Sequence, residues 1–235
     1  MEEKNELDAL REKLLYKQKQ GYDIIDVDER IKLEEYATAY KAYLNAARTE
    51  REAVTEAIAQ AEALGFVPYE RGMVLEPGTK IYKSVRGKAL MLAVMGRETL
   101  DHGANIAAAH VDSPRLDLKP IPLYEKDEIC LLKTHYYGGI KKYQWVTLPL
   151  ALHGVIVKKD GTKVMVNIGE KEDDPVFCVS DLLVHLAGDQ MQKKAASVIE
   201  GEDLNVTFGS MPLAKEEKDK VKANVLKLLA DRYDI

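Results

Sequence analysis

Apolar positions change their period along this chain, and each change predicts a different element. Residues 4–20 carry Leu7, Leu10, Leu14 and Leu15 as a thin stripe on a charged background, the pattern of an exposed helix. A longer helical block runs from Ile31 to Leu64. Its first part brings Ile31, Tyr36, Tyr40, Tyr43 and Leu44 near one face. Its second part opens on Thr49-Glu-Arg-Glu52, the spacing of a capping box. Val54, Ile58, Ala61 and Leu64 then recur at helical intervals until Gly65 supplies a stop.

From Phe66 the pattern shortens to that of strands. Lys80–Ser84, Ala89–Met95 and Ala104–Val111 are expected to form three strands of one sheet. Beyond Pro120-Ile-Pro122 the chain turns β-rich: Glu128–Thr134, Trp145–Lys158 and Thr162–Ile168, the last two joined at Lys158-Lys-Asp-Gly161. Asp181–Val198 is expected as a helix and Leu204–Phe208 as a strand. Lys215–Tyr233 closes the chain as a helix with Val221, Val225, Leu228 and Leu229 on one face. The expected class is α/β, α+β overall: a partial three-layer α/β unit over residues 1–116, then a β-rich unit over 117–235.

Composition narrows the choice of function. The 235 residues carry a net charge of −5, so there is no basic footprint for nucleic acid or for an anionic membrane surface. The longest apolar run, Ala89–Met95, is too short to cross a bilayer. The opening Met-Glu-Glu-Lys-Asn-Glu is not a secretory signal. Cys130 and Cys178 are isolated in apolar runs and read as reduced core residues of a cytoplasmic protein.

The chemistry concentrates at Asn105-Ile-Ala-Ala-Ala-His-Val-Asp-Ser-Pro114. A small apolar run that reads as a doubly buried strand ends in His110 and Asp112, before Ser113-Pro114 stops the ladder. Strand residues two apart share a side, so the imidazole and the carboxylate should project together. Such a pair suits either a metal ligand with a supporting carboxylate or a general base with its orienter. His102, His135 and His153 have no partner at ligand spacing in the sequence.

Several of these segments together resemble one family. They are Thr49-Glu-Arg-Glu52, Gly65-Phe66, Ala108-Ala-His-Val-Asp-Ser-Pro114, Tyr137-Gly-Gly-Ile140, Trp145 with Leu150-Ala-Leu-His-Gly154, and Asp181-Leu-Leu-Val-His-Leu186. In order and spacing they resemble the aminopeptidase I / aspartyl aminopeptidase family of di-zinc metallopeptidases. The resemblance implies an α/β catalytic domain interrupted by a β-rich dimerisation domain, and homo-oligomers: dimers that assemble into a tetrahedral dodecamer. It implies peptide substrates trimmed at the N-terminus and two zinc ions, replaceable by cobalt or manganese. It places His110 as a zinc ligand and Asp112 as the catalytic carboxylate that supports the site. His185 falls on a histidine that binds substrate in the neighbouring subunit's active site.

Two departures qualify the expectation. The family takes its bridging Asp, its Glu general base and adjacent Glu ligand, a further carboxylate and a final His from sequence beyond the dimerisation domain, and this chain stops at Ile235. Each zinc takes about four ligands, so His110 alone cannot hold a pair. The chain therefore reads as one half of an enzyme, inactive by itself and completed by a C-terminal segment. The alternative is a non-catalytic oligomerisation module. The second departure is Val146-Thr-Leu-Pro149, where the aspartyl-specific branch has Asp-Arg-Asp; acidic preference is not implied.

Overall fold

A computed structural model describes residues 2–214 and 218–235, the side chains of 2–6 excepted. These fall into two compact units, one reaching to Ala47 and one beginning at Arg48. The first unit is helical: α1 (Glu2–Leu14), α2 (Gly21–Ile24) and α3 (Val27–Ala46). The helix expected over 4–20 ends at Leu14, and α3 starts before Ile31. Its start is fixed by a capping box: the Asp26 carboxylate accepts from Glu29 N at 2.8 Å, and Glu29 answers to Asp26 N. No residue of α3 is buried, although Tyr36 and Tyr40 stack on each other at 6.3 Å.

The second unit opens with α4 (Glu50–Ala63), whose Ala53, Val54 and Ala61 are buried. Thr49 caps it, its hydroxyl oxygen accepting from Glu52 N at 3.3 Å. The expected box is only half made. Glu52 turns its carboxylate to the Thr49 hydroxyl and to His153 Nδ1 instead of the Thr49 backbone. Helix α4 packs against a small sheet of β1 (Val67–Pro68), β2 (Lys80–Val85) and β3 (Ala89–Val94) in the order β1-β2-β3.

The expected third strand, Ala104–Val111, is absent. That segment has no regular structure, pairs with no described strand, and leaves Ile106 86% exposed. A strand buried on both faces needs a paired neighbour and a covering layer. Neither exists among the described residues, since Met91, Leu92 and Val94 of β3 are themselves exposed.

The main core lies in the β-rich part. β4 (Arg115–Lys126), β5 (Ile129–Tyr137), β8 (Cys178–Val179) and β9 (Val206–Gly209) form an antiparallel sheet in the order β4-β5-β9-β8. β6 (Leu152–Val157) and β7 (Lys163–Ile168) form a hairpin. β4 runs straight through Pro120-Ile-Pro122 because a register shift between Leu118 and Leu123, with Ile121 at φ +53°, absorbs the prolines. Cys130, Leu132 and Thr134 alternate inward on β5; the Thr134 hydroxyl is satisfied by the Leu204 carbonyl. Burial pushes the free Cys130 thiol up to about 11, with help from Glu125, so it is inert packing.

Trp145–Leu150 is not the expected strand. Positive φ at Thr147 and the missing N–H of Pro149 leave only single bridges, Val146 to Val179 and Leu150 to Phe177. The helix expected at Asp181–Val198 is also absent, reduced to turns and a short 3-10 turn at Gln190–Gln192. Helices gain most of their stability from a packed face, and Leu182, Leu183, Val184 and Leu186 are all exposed. The closing helix α5 (Lys220–Tyr233) buries Val221 and Val225 and rests Leu228 and Leu229 on the core. Its expected first turn, from Lys215, lies outside the described residues. Glu125 of β4 stands in as its cap, accepting from Val221 N at 3.0 Å and Lys222 N at 2.9 Å.

Asp174 ties the loop after β7 to α5. Its carboxylate accepts from Gly169 N at 2.8 Å, Lys171 N at 3.1 Å and Arg232 Nη1 at 2.6 Å. Burial would raise its pKa, but the backbone N–H groups of Gly169 and Lys171 together with Arg232 outweigh it and hold it far below the usual carboxylate range. A depressed folded-state pKa gives stability that is complete above the unfolded value of about 3.9. It is lost as pH falls through the folded-state value. Asp174→Asn should therefore lower the thermal midpoint at pH 7 and flatten its dependence on pH below 4. Equal acid sensitivity in both proteins would refute this.

Candidate active site

His110 and Asp112 meet, though not at the tip of a buried strand. They sit in an exposed irregular segment that ends where Pro114 delivers the chain into β4. His110 Nδ1 lies 2.9 Å from the Asp112 carbonyl oxygen and 3.3 Å from Asp112 Oδ1. Both neighbours are acceptors, so in a neutral ring this geometry assigns the proton to Nδ1 and leaves Nε2 bare. The imidazole is 82% exposed, which leaves that nitrogen open to a ligand.

Two residues without a role in the sequence reading complete the cluster. Arg115 and Tyr137 are directly opposed across β4 and β5. The Arg115 guanidinium lies over the Tyr137 ring at 4.0 Å, and the Tyr137 hydroxyl donates to Asp112 Oδ2 at 2.8 Å. That hydroxyl, then the Asp112 backbone, hold the carboxyl below its usual range, and the carboxylate in turn raises the tyrosine. Arg115 is itself fixed by Asp117 at 2.7 Å and faces Glu50 at 3.8 Å, at the start of α4. Gly138 follows at φ +82°, with Pro114 atoms 3.5 Å from where a Cβ would stand. Tyr-Gly-Gly and His-x-Asp-Ser-Pro are thus packed against each other, and the turn between them favours glycine. The signal was in the sequence, as the motif Tyr137-Gly-Gly-Ile140, but the strand register that makes it a partner of Asp112 was not.

His185 is exposed in the turn that replaces the expected helix. Among the described residues no hydrogen bond or ion pair joins it to His110 or Asp112. His153, without a partner at ligand spacing in the sequence, meets two distant carboxylates. Its Nδ1 is hydrogen-bonded to Glu52 Oε1 at 2.8 Å, and its Nε2 lies 3.2 Å from Glu170 Oε1 without making a hydrogen bond, so it stands between α4, β6 and the loop after β7. Beside the cluster lies a cleft of about 720 Å³ between β4 and β6, lined by Glu50, Arg115, Asp117, Trp145, Leu150 and His153.

The donor set fits one wall of a zinc site: a bare imidazole nitrogen with a carboxylate and a carbonyl behind it. It does not fit a whole site. Among the described residues no three His, Cys, Asp or Glu side chains stand where they could share a metal ion.

The model of the family described as aminopeptidase I zinc metalloprotease (M18) matches residues 43–235. The chain belongs to the M18 family of aminopeptidases. A probable M18 family aminopeptidase 1 from Clostridium acetobutylicum is 52% identical over 227 residues, which cover 94% of this chain and 49% of the relative. The crystal structure of an M18 aminopeptidase from Thermotoga maritima superposes with a TM-score of 0.86 at 41% identity, over 94% of this chain and 48% of that one. A yeast M18 structure described as a dodecamer shares the fold at 18% identity, with a TM-score of 0.62 over 87% of this chain and 45% of its own. The chain thus spans about half the length of the relatives it matches. The expected family and the mixed α/β class stand. No helix of the described residues is long and apolar enough to cross a membrane.

Proposed function

We propose that this chain supplies one half of a zinc aminopeptidase active site, which removes N-terminal residues from peptides in the cytoplasm. Residues 1–116 begin the catalytic domain and 117–235 form the dimerisation domain. His110 is one ligand of a two-zinc site that also accepts cobalt or manganese, and Asp112 orients it. A second polypeptide segment contributes the Glu general base and the remaining ligands. Zinc bound there would supply Lewis acidity toward the scissile carbonyl and toward an attacking water. This chain's own part is to hold an imidazole in one tautomer and orientation beside the β4–β5 edge.

The observation that carries this reading is the placement of His110 Nδ1 against two acceptors, the Asp112 carbonyl at 2.9 Å and Oδ1 at 3.3 Å, with Nε2 left open. Exposed apolar positions on β3 and at Ile106 support the missing half, because they are the surface such a segment would cover. The chain is further proposed to form homo-oligomers, dimers that build a dodecamer as in the yeast relative. His185 then reaches into the neighbouring subunit's site to bind substrate.

Zinc titration and release of an N-terminal residue from a peptide test the proposal. The purified chain alone should hold zinc weakly and hydrolyse nothing. Mixed with a segment matching the other half of the Clostridium relative, it should gain both properties. Tight stoichiometric zinc in the chain alone would overturn the half-site. A mixture that assembles but stays metal-free and inactive would favour the non-catalytic oligomerisation module.

A further inference from the structure

We propose that Tyr137 is a positioning residue for the His110 imidazole: its hydroxyl pins the Asp112 carboxylate, which holds the ring with Nε2 presented. The inference rests on the reading of His110 as a ligand. It begins from a contact that needs no metal, the 2.8 Å hydrogen bond from Tyr137 to Asp112 Oδ2. With Oδ2 taken, Oδ1 is the oxygen left facing His110 Nδ1 at 3.3 Å.

The pinning matters because the segment cannot hold itself. Residues 103–114 have no regular structure, and Asp112 retains 38% of its side-chain surface while His110 retains 82%. Water competes for every hydrogen bond there. Tyr137, by contrast, stands on a paired strand opposite Arg115, whose guanidinium clamps the ring face at 4.0 Å. Asp117 fixes that guanidinium at 2.7 Å. Order therefore passes from the sheet through Arg115 and Tyr137 to Asp112, and only then to the imidazole. Without the hydroxyl, the carboxylate is free to rotate into solvent. The ring would keep only its exposed 2.9 Å bond to the Asp112 carbonyl.

The test is a long-range 1H–15N correlation spectrum of the His110 ring, recorded on the 235-residue chain at a pH where the ring is neutral. The unmodified chain should show His110 chiefly as the Nδ1–H tautomer. Tyr137→Phe keeps the ring and its stack under Arg115 but removes the hydroxyl. Its His110 signals should shift toward the Nε2–H form that a free imidazole prefers, while the thermal midpoint stays the same. Identical tautomer ratios in the two proteins would overturn the proposal. So would a predominantly Nε2–H His110 in the unmodified chain, a result that needs no variant to fold. No zinc, peptide or second polypeptide enters the measurement, so its failure is separable from failure of the peptidase reading.

Discussion

His110→Ala, introduced into this chain and assembled with the complementary half, is expected to abolish zinc retention and peptide release together. The imidazole offers a nitrogen open to a ligand, and alanine leaves nothing in its place. Asp112→Asn should do less, a loss of about 10–100-fold in metal affinity or rate, because it disturbs a supporting partner and spares the ligand. Metal content by atomic absorption, measured beside the rate, separates the two effects. An alanine variant with full zinc and full rate would remove His110 from the site.

Phe177→Ala is expected to cost about 3–5 kcal/mol of stability, the range for deleting a fully buried aromatic. Phe177 is 1% exposed, and its ring meets Phe208 at 4.5 Å between centroids. The neighbourhood cannot close over the gap easily. Gly169, at φ +108°, already brings its backbone to where a Cβ would lie 3.0 Å from the Phe177 ring and from the backbone of Leu150 and Ala151. With total stabilities of roughly 5–15 kcal/mol for a domain, this one change takes a large share. Urea unfolding followed by circular dichroism reads it as a lower midpoint at unchanged slope. A loss below about 1 kcal/mol would show that the core relaxes into the space.

Much of the β-rich part was legible because its own residues bury it. Cys130, Leu132, Val206 and Phe208 alternate at period two, and Val221 and Val225 recur at helical spacing, each against the same core. Where cover is missing, the pattern misled. Ala104–Val111 and Leu182–Leu186 are apolar in sequence and exposed in the structure, since apolarity signals burial only when a partner is present. β4 was hidden for another reason: Pro120-Ile-Pro122 marks in the sequence only the point beyond which the chain turns β-rich, and a register shift is what admits its prolines into a strand. At the candidate site, His110 and Asp112 do lie together, but across an irregular segment, since the strand expected to align them is absent. Tyr137 and Arg115 were not legible there, because a cross-strand pair depends on register, and register is a property of two distant segments at once.

The strand order β4-β5-β9-β8 has a consequence for how the chain is made. A ribosome delivers β4, β5 and β8 well before β9, yet β9 sits between β5 and β8 and carries Val206 and Phe208 into the core. The main sheet therefore cannot be completed during synthesis until residues 206–209 have emerged, and until then β5 and β8 lack the strand that joins them.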